Sequence, residues 1–175
     1  MFRLVHRNQI TNYSQDRDIV TTSVYPSYFV ISIIIANMNA TVYIVIYRGD
    51  PVDLMETRHT AFYVEFSDGT KTLMHATGGH GFFRVEEERN PRDPKHSMRF
   101  ACLVYVGIVR SIDKSEFCSC IQTTPVDNTT RGWNCQNWIG DVLKRMVLKS
   151  WISSTDESNA VSTMVDVVML AGNEP

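Results

Sequence analysis

Apolar residues change their spacing along this chain. Up to about residue 110 they come in short runs or alternate with polar residues; beyond about residue 133 they recur every three or four positions. A period of two marks β-strands and a period near 3.6 marks helices. The first pattern predicts strands over 28–36, 41–47, 59–66, 71–76, 82–86 and 99–109, with turn chemistry at their ends: Gly49-Asp50-Pro51, Ser67-Asp68-Gly69 and Gly78-Gly79. The second predicts a helix over 133–151, with Trp138, Ile139, Val142, Leu143, Met146 and Val147 on one stripe, and another over 156–170 stopped by Gly172. A shorter helix over 113–122 ends before Pro125. The sum is an α+β fold, an antiparallel sheet packed on helices.

The 175 residues suit one domain with a real core. Residues 1–23 lack periodicity and read as an irregular arm, leaving 24–175 as the domain. The most apolar run, Tyr28 to Ala36, is far below the roughly 20 residues needed to span a bilayer, so no membrane span is expected. Seventeen basic and 19 acidic residues give a net charge of −2, and no basic patch or aromatic platform points to nucleic acid. The start of the chain has no apolar leader, so Cys102, Cys118, Cys120 and Cys135 are expected as reduced thiols in a cytoplasmic setting. The charged loop 86–97, with Pro91 and Pro94, reads either as solvated surface or as a lid over a nearby site.

Chemistry concentrates on three residues. Cys135 opens the amphipathic helix, where unpaired N–H groups favour a thiolate and could hold an oxyanion. Taken alone, it could equally be a buried thiol that only packs. His59 begins the strand His59-Thr60-Ala61-Phe62-Tyr63-Val64-Glu65-Phe66, sharing a face with Ala61 and Tyr63. His75 ends the next strand, and the turn decides its use. A two-residue Asp68-Gly69 turn pairs His75 with Phe62 and points it away from His59. A three-residue turn with Gly69 left-handed pairs it with Ala61, on the same face as His59. Gly69 stands where the longer turn wants it. A thiol, a base and a group orienting that base are the parts of nucleophilic acyl chemistry.

Other chemistries fit less well. Cys118-Ser119-Cys120 with His80 or His96 lacks structural-zinc spacing, so no metal and no cofactor is expected. Gly78-Gly79-His80-Gly81 lacks the Lys-Ser/Thr of a phosphate loop. A binding domain without catalysis is the remaining alternative.

The pattern His-x-Ala-x-Tyr-Val, a Gly turn, a strand ending in His, and a late Asn-Cys-Gln-x-Trp-Ile resembles the permuted papain-like group. That group contains lecithin:retinol acyltransferase, related small phospholipase/acyltransferases and, in another chain order, the NlpC-type peptidases. The chain also resembles short fungal proteins with the same Trp-Asn-Cys-Gln segment. The resemblance spans Thr41 to Leu148; Gln136 stands where that group usually has an acidic residue. It implies a circularly permuted papain-like fold, with Cys135 as nucleophile, His59 as base and His75 as orienter. The implied activity is hydrolysis or transfer of an acyl group from a small-molecule or peptide amide or ester. Expected substrate contacts are Trp133, Asn134, Gln136, Tyr63, Gly79 and His80.

Overall fold

Strand β1, Met38–Tyr47, is buried on both faces, which explains its nearly unbroken run of β-branched and aromatic residues. The computed structural model describes residues 38–172. The expected arm over 1–23 and strand over 28–36 lie outside the described residues. All described residues fall within one compact unit spanning 34–175.

After β1 come β2 (His59–Phe66), β3 (Lys71–Thr77), β4 (Arg84–Arg89) and β5 (Phe100–Ile112). They form one five-stranded antiparallel sheet in the order β4-β3-β2-β1-β5. The first four strands meander, and β5 returns beside β1 with register shifts along the pair. Three helices complete the α+β fold: α1 (Lys114–Gln122), α2 (Cys135–Leu148) and α3 (Ser154–Met169).

The two faces of the sheet carry separate cores. On the helix face, Val42, Ile44, Ile46, Phe62, Val64 and Met74 pack against the α2 stripe Trp138, Ile139, Val142, Leu143 and Met146. Ala160, Met164 and Val168 of α3 and Phe117 and Ile121 of α1 join them. The opposite face holds a smaller cluster of Val45, Ala61, Tyr63 and Leu73, flanked by Tyr47 and Phe100. His59 and His75 share this second face by strand alternation.

Several expected boundaries move. The strand expected at 82–86 is β4 at Arg84–Arg89, so the first residues assigned to the charged loop are strand. The shift has a clear cause. β4 is an edge strand whose charges face solvent, while Glu87 accepts from Thr72 Oγ1 and Gln122 Nε2, so charge masks the pleat. Helix α2 starts at Cys135, not Trp133, because Asn134 is extended and caps it. Helix α3 starts at Ser154, since Ser153 caps it with a Ser153–Asp156 capping box.

Candidate active site

The turn between β2 and β3 sets the site's geometry. Phe66 N–H bonds to Thr70 O, Gly69 N–H bonds to Phe66 O, and Gly69 has φ +83°. Phe62 lies opposite Met74 and Glu65 opposite Lys71. Continued by one residue, that register sets His75 opposite Ala61, which puts His75 diagonal to His59 on one face. The two rings meet there: His59 Nε2 lies 2.6 Å from His75 Nδ1, with ring centroids 4.9 Å apart at 75°. Tyr47, paired with His59 across β1, stacks beside it at 6.4 Å and 17°.

Burial pushes the pKa of His59 below its ordinary value. Burial also lowers His75, and the charge of His59 lowers it further, while Glu86 and Glu88 on β4 oppose the shift. Two imidazoles at this distance share one proton and disfavour a double positive charge. Both rings are therefore neutral near pH 7. If Nε2 of His59 donates to His75, the Nδ1 of His59 is unprotonated and free to act as a base.

Cys135 comes from the other side of β2. Asn134 Oδ1 accepts the Gln136 N–H at 2.9 Å, and Asn137 Oδ1 accepts the Asn134 N–H at 3.0 Å, so the first turn of α2 is firmly capped. The thiol is 8% exposed, and its Sγ accepts the Thr60 N–H at 3.4 Å. Thr60 directly follows His59, so the sulfur is held against the peptide that leaves the histidine. No hydrogen bond joins Sγ to either imidazole among the described residues. Gln136 Nε2 donates to Met55 O at 3.1 Å and Arg58 O at 3.4 Å, tying the helix start to the segment that enters β2.

The other expected contacts are spread more widely. Trp133 packs edge-on against Phe83 with centroids 5.0 Å apart, and Asn128 holds that segment by accepting the Phe83 N–H and donating to Phe83 O. Gly79 O accepts the Phe82 N–H in the turn after β3, where His80 is exposed. The preceding Gly78 has φ +112°, and a Cβ there would lie 2.4 Å from Phe82 O. Tyr63 is buried four residues along β2 from His59, roughly 13 Å away at strand spacing, with its hydroxyl donating to Glu65. The structure does not bring Tyr63 to the imidazole pair.

Residue spacing missed three participants. Tyr47 becomes a neighbour of His59 only through the β1–β2 register. Thr60 supplies the N–H to the thiol, and its Oγ1 is buried without a hydrogen-bond partner. Arg58 is 1% exposed and bonds through Nε and Nη2 to Asp53 and through Nη1 to Val167 O of α3. A charged residue directly before His59 was the only signal for it.

Cys118 and Cys120 lie on α1, and all four cysteines are free thiols. Among the described residues, no group of three His, Cys, Asp or Glu side chains converges on a point where a metal could sit. None of the described helices is long and apolar enough to cross a membrane.

No curated protein and no solved structure matches the chain. One family model matches residues 42–153, which run from β1 to just past α2 and include His59, His75 and Cys135. Its description is a family of unknown function (DUF6540), and the chain belongs to that family.

Proposed function

We propose that the protein is a cysteine-nucleophile enzyme that forms an acyl-thioester on Cys135 and then hydrolyses or transfers the acyl group of an amide or ester. One observation carries this reading: the bonded His59–His75 pair stands one peptide from a thiol at a capped helix start. The same arrangement supports a circularly permuted papain-like organisation, with the helix bearing the thiol following the histidine strands in the chain.

In this mechanism His59 Nδ1 takes the thiol proton while His75 holds the ring through Nε2. The thiolate attacks the carbonyl carbon, and the Cys135 N–H, the first-turn donor that the Asn134 cap does not take, stabilises the oxyanion. The leaving amine or alcohol takes the proton from His59, and the acyl group stays on sulfur. Water or a second nucleophile then gives a proton to His59 as it attacks the thioester, releasing the thiol. The mechanism requires the sulfur to exchange the Thr60 N–H for His59, and catalytic hydrogen bonds commonly form or tighten when substrate binds. Reduced thiols fit a cytoplasmic setting and a small-molecule or peptide substrate.

The sulfur's present bond to Thr60 N–H favours a second reading, a binding domain without chemistry. Intact-mass measurement with activated acyl esters separates the two. An adduct on the wild-type chain that disappears in Cys135→Ala supports the enzyme, and no adduct with any donor supports the binding domain.

A further inference from the structure

The pairing of β2 with β3 ends before the strands do. It runs from Glu65–Lys71 to Phe62–Met74, while β2 begins at His59 and β3 continues to Thr77. Phe66 N–H points toward β3, where it bonds to Thr70 O. Backbone N–H groups along a strand point to alternate sides, so Thr60, an even number of residues away, also directs its N–H toward β3. The same register carried on would set Ala76 opposite Thr60. Sγ of Cys135 takes that N–H instead, at 3.4 Å. The ladder has thus released a backbone donor at the place where the thiol sits.

Thr60 brings a second donor to the same place. Strand alternation turns its side chain from the histidine face to the helix face, where α2 packs. The residue is fully buried, and its Oγ1 has no hydrogen-bond partner among the described residues. This hydroxyl and the N–H that holds the sulfur sit on adjacent carbon atoms of the chain, Cβ and Cα. A buried hydroxyl without a partner is destabilising, and valine has the same shape and strand preference without that cost. The scaffold gains nothing from the oxygen.

We propose that Thr60 is a catalytic residue whose N–H and Oγ1–H stabilise the oxyanion formed when Cys135 attacks a carbonyl, alongside the Cys135 N–H. The inference rests on the thioester chemistry proposed above. As sulfur forms the S–C bond, the carbonyl π pair moves onto oxygen. When that pair returns, the bond to the leaving group breaks, and the leaving group takes its proton from His59. The oxygen is two bonds from Sγ, so it falls within reach of the donor that holds Sγ. As the sulfur turns to His59 it gives up that N–H, and the oxyanion takes it over. The hydroxyl gains its partner in the same step, so both donors bind the transition state better than the ground state.

The test compares two reactions of the full chain at one pH. Acylation of Cys135 by p-nitrophenyl acetate passes through an oxyanion, and alkylation by iodoacetamide does not. Thr60→Val should slow acylation by about 10²–10³-fold, in the rate constant rather than in KM, and leave alkylation within about threefold of wild type. Thr60→Ser keeps the hydroxyl and should acylate close to the wild-type rate. Thermal midpoints should run the other way, with Thr60→Val at or above wild type and Thr60→Ser below it. Thr60→Ser against Thr60→Ala repeats the hydroxyl comparison should Thr60→Val fail to fold. Acylation of Thr60→Val at the wild-type rate overturns the inference, as does a parallel loss of acylation and alkylation; the thioester chemistry stands in both cases. No acyl adduct on wild-type Cys135 from any donor instead overturns the thioester chemistry, and the donor role with it.

Discussion

His59 and His75 hold each other through a single Nε2–Nδ1 contact of 2.6 Å. The pairing assigns the nitrogens. His59 commits Nε2 to its neighbour and keeps Nδ1 for a second partner, while the charges of Glu86 and Glu88 on β4 favour a proton on His75 against the effect of burial. A structural histidine would satisfy itself on a carbonyl. Two half-buried rings that satisfy each other form a pair whose protonation state each sets for the other.

That pair makes stability pH-dependent in a defined window. Both imidazoles have folded pKa values below the ordinary 6.5. The unfolded chain therefore binds more protons as pH falls past 6.5, and stability is lost from there down through the folded values. Thermal melts between pH 8 and 5 should show Tm flat above about pH 7 and falling below it. His59→Phe with His75→Leu should flatten this part of the curve; an unchanged slope in that variant would assign the loss to carboxylates instead. If His59 is the base, the acid limb of a kcat/KM profile should likewise lie below 6.5.

Replacing His59 and His75 should have unequal effects on thiol acylation. His59→Ala removes the base and should slow acylation by about 10²–10⁴-fold. His75→Ala should lower kcat more than it raises KM, and His75→Asn, which can still accept the His59 N–H, should recover part of the loss. Stopped-flow measurement of leaving-group release checks this, and equal losses in all three variants would be contrary to distinct roles.

Cys135→Ala should abolish adduct formation with little change in fold. The substitution removes one small buried atom and one long N–H···S contact at 3.4 Å. Its cost should stay within about 1 kcal/mol. A chemical denaturation midpoint close to wild type, alongside complete loss of the mass adduct, is the expected pair of results.

The turn between β2 and β3 carries its own test. Gly69 has φ +83° with open space around its Cβ position, so only backbone strain opposes a side chain there. Gly69→Ala should cost about 1–2 kcal/mol, and Gly69→Asn clearly less. Because this turn sets the register, Gly69→Val should also weaken the imidazole contact, seen as a rise in the pKa of His59 by NMR titration.

Much of this was legible in the sequence because it is local. β2 occupies the 59–66 span given by alternation, and Gly69 chose the three-residue turn that brings His75 to His59. The α2 stripe is visible at three- and four-residue spacing. Long-range pairing was not legible. Tyr47 reaches His59 only because β1 and β2 pair across an eleven-residue connection between Tyr47 and His59, whose register no periodicity encodes. β4 was displaced because an edge strand with both charge signs looks like loop. The loop after β4 was legible only as a choice between solvated surface and lid, because buried Pro91 and Pro94 look the same in a sequence as exposed turn prolines.

Arg58 offers the sharpest separation of scaffold from chemistry. Its guanidinium is buried, and it joins Asp53 to the end of α3 one residue before His59. Asp53 in turn accepts the Gly49 N–H, and its carboxyl is held below the ordinary carboxylate range mainly by the Arg58 hydrogen bond. Arg58→Ala leaves a void, an unpaired acid and a bare Val167 carbonyl. It should cost about 3 kcal/mol, the low end for a broken buried pair because Asp53 keeps contact with water. Arg58→Lys restores the charge but not the two-pronged grip, so it should recover stability more than it recovers acylation rate. Denaturation and single-turnover acylation measured on the same two variants check this. If Lys restored both in proportion, Arg58 would only hold the fold and would not position His59.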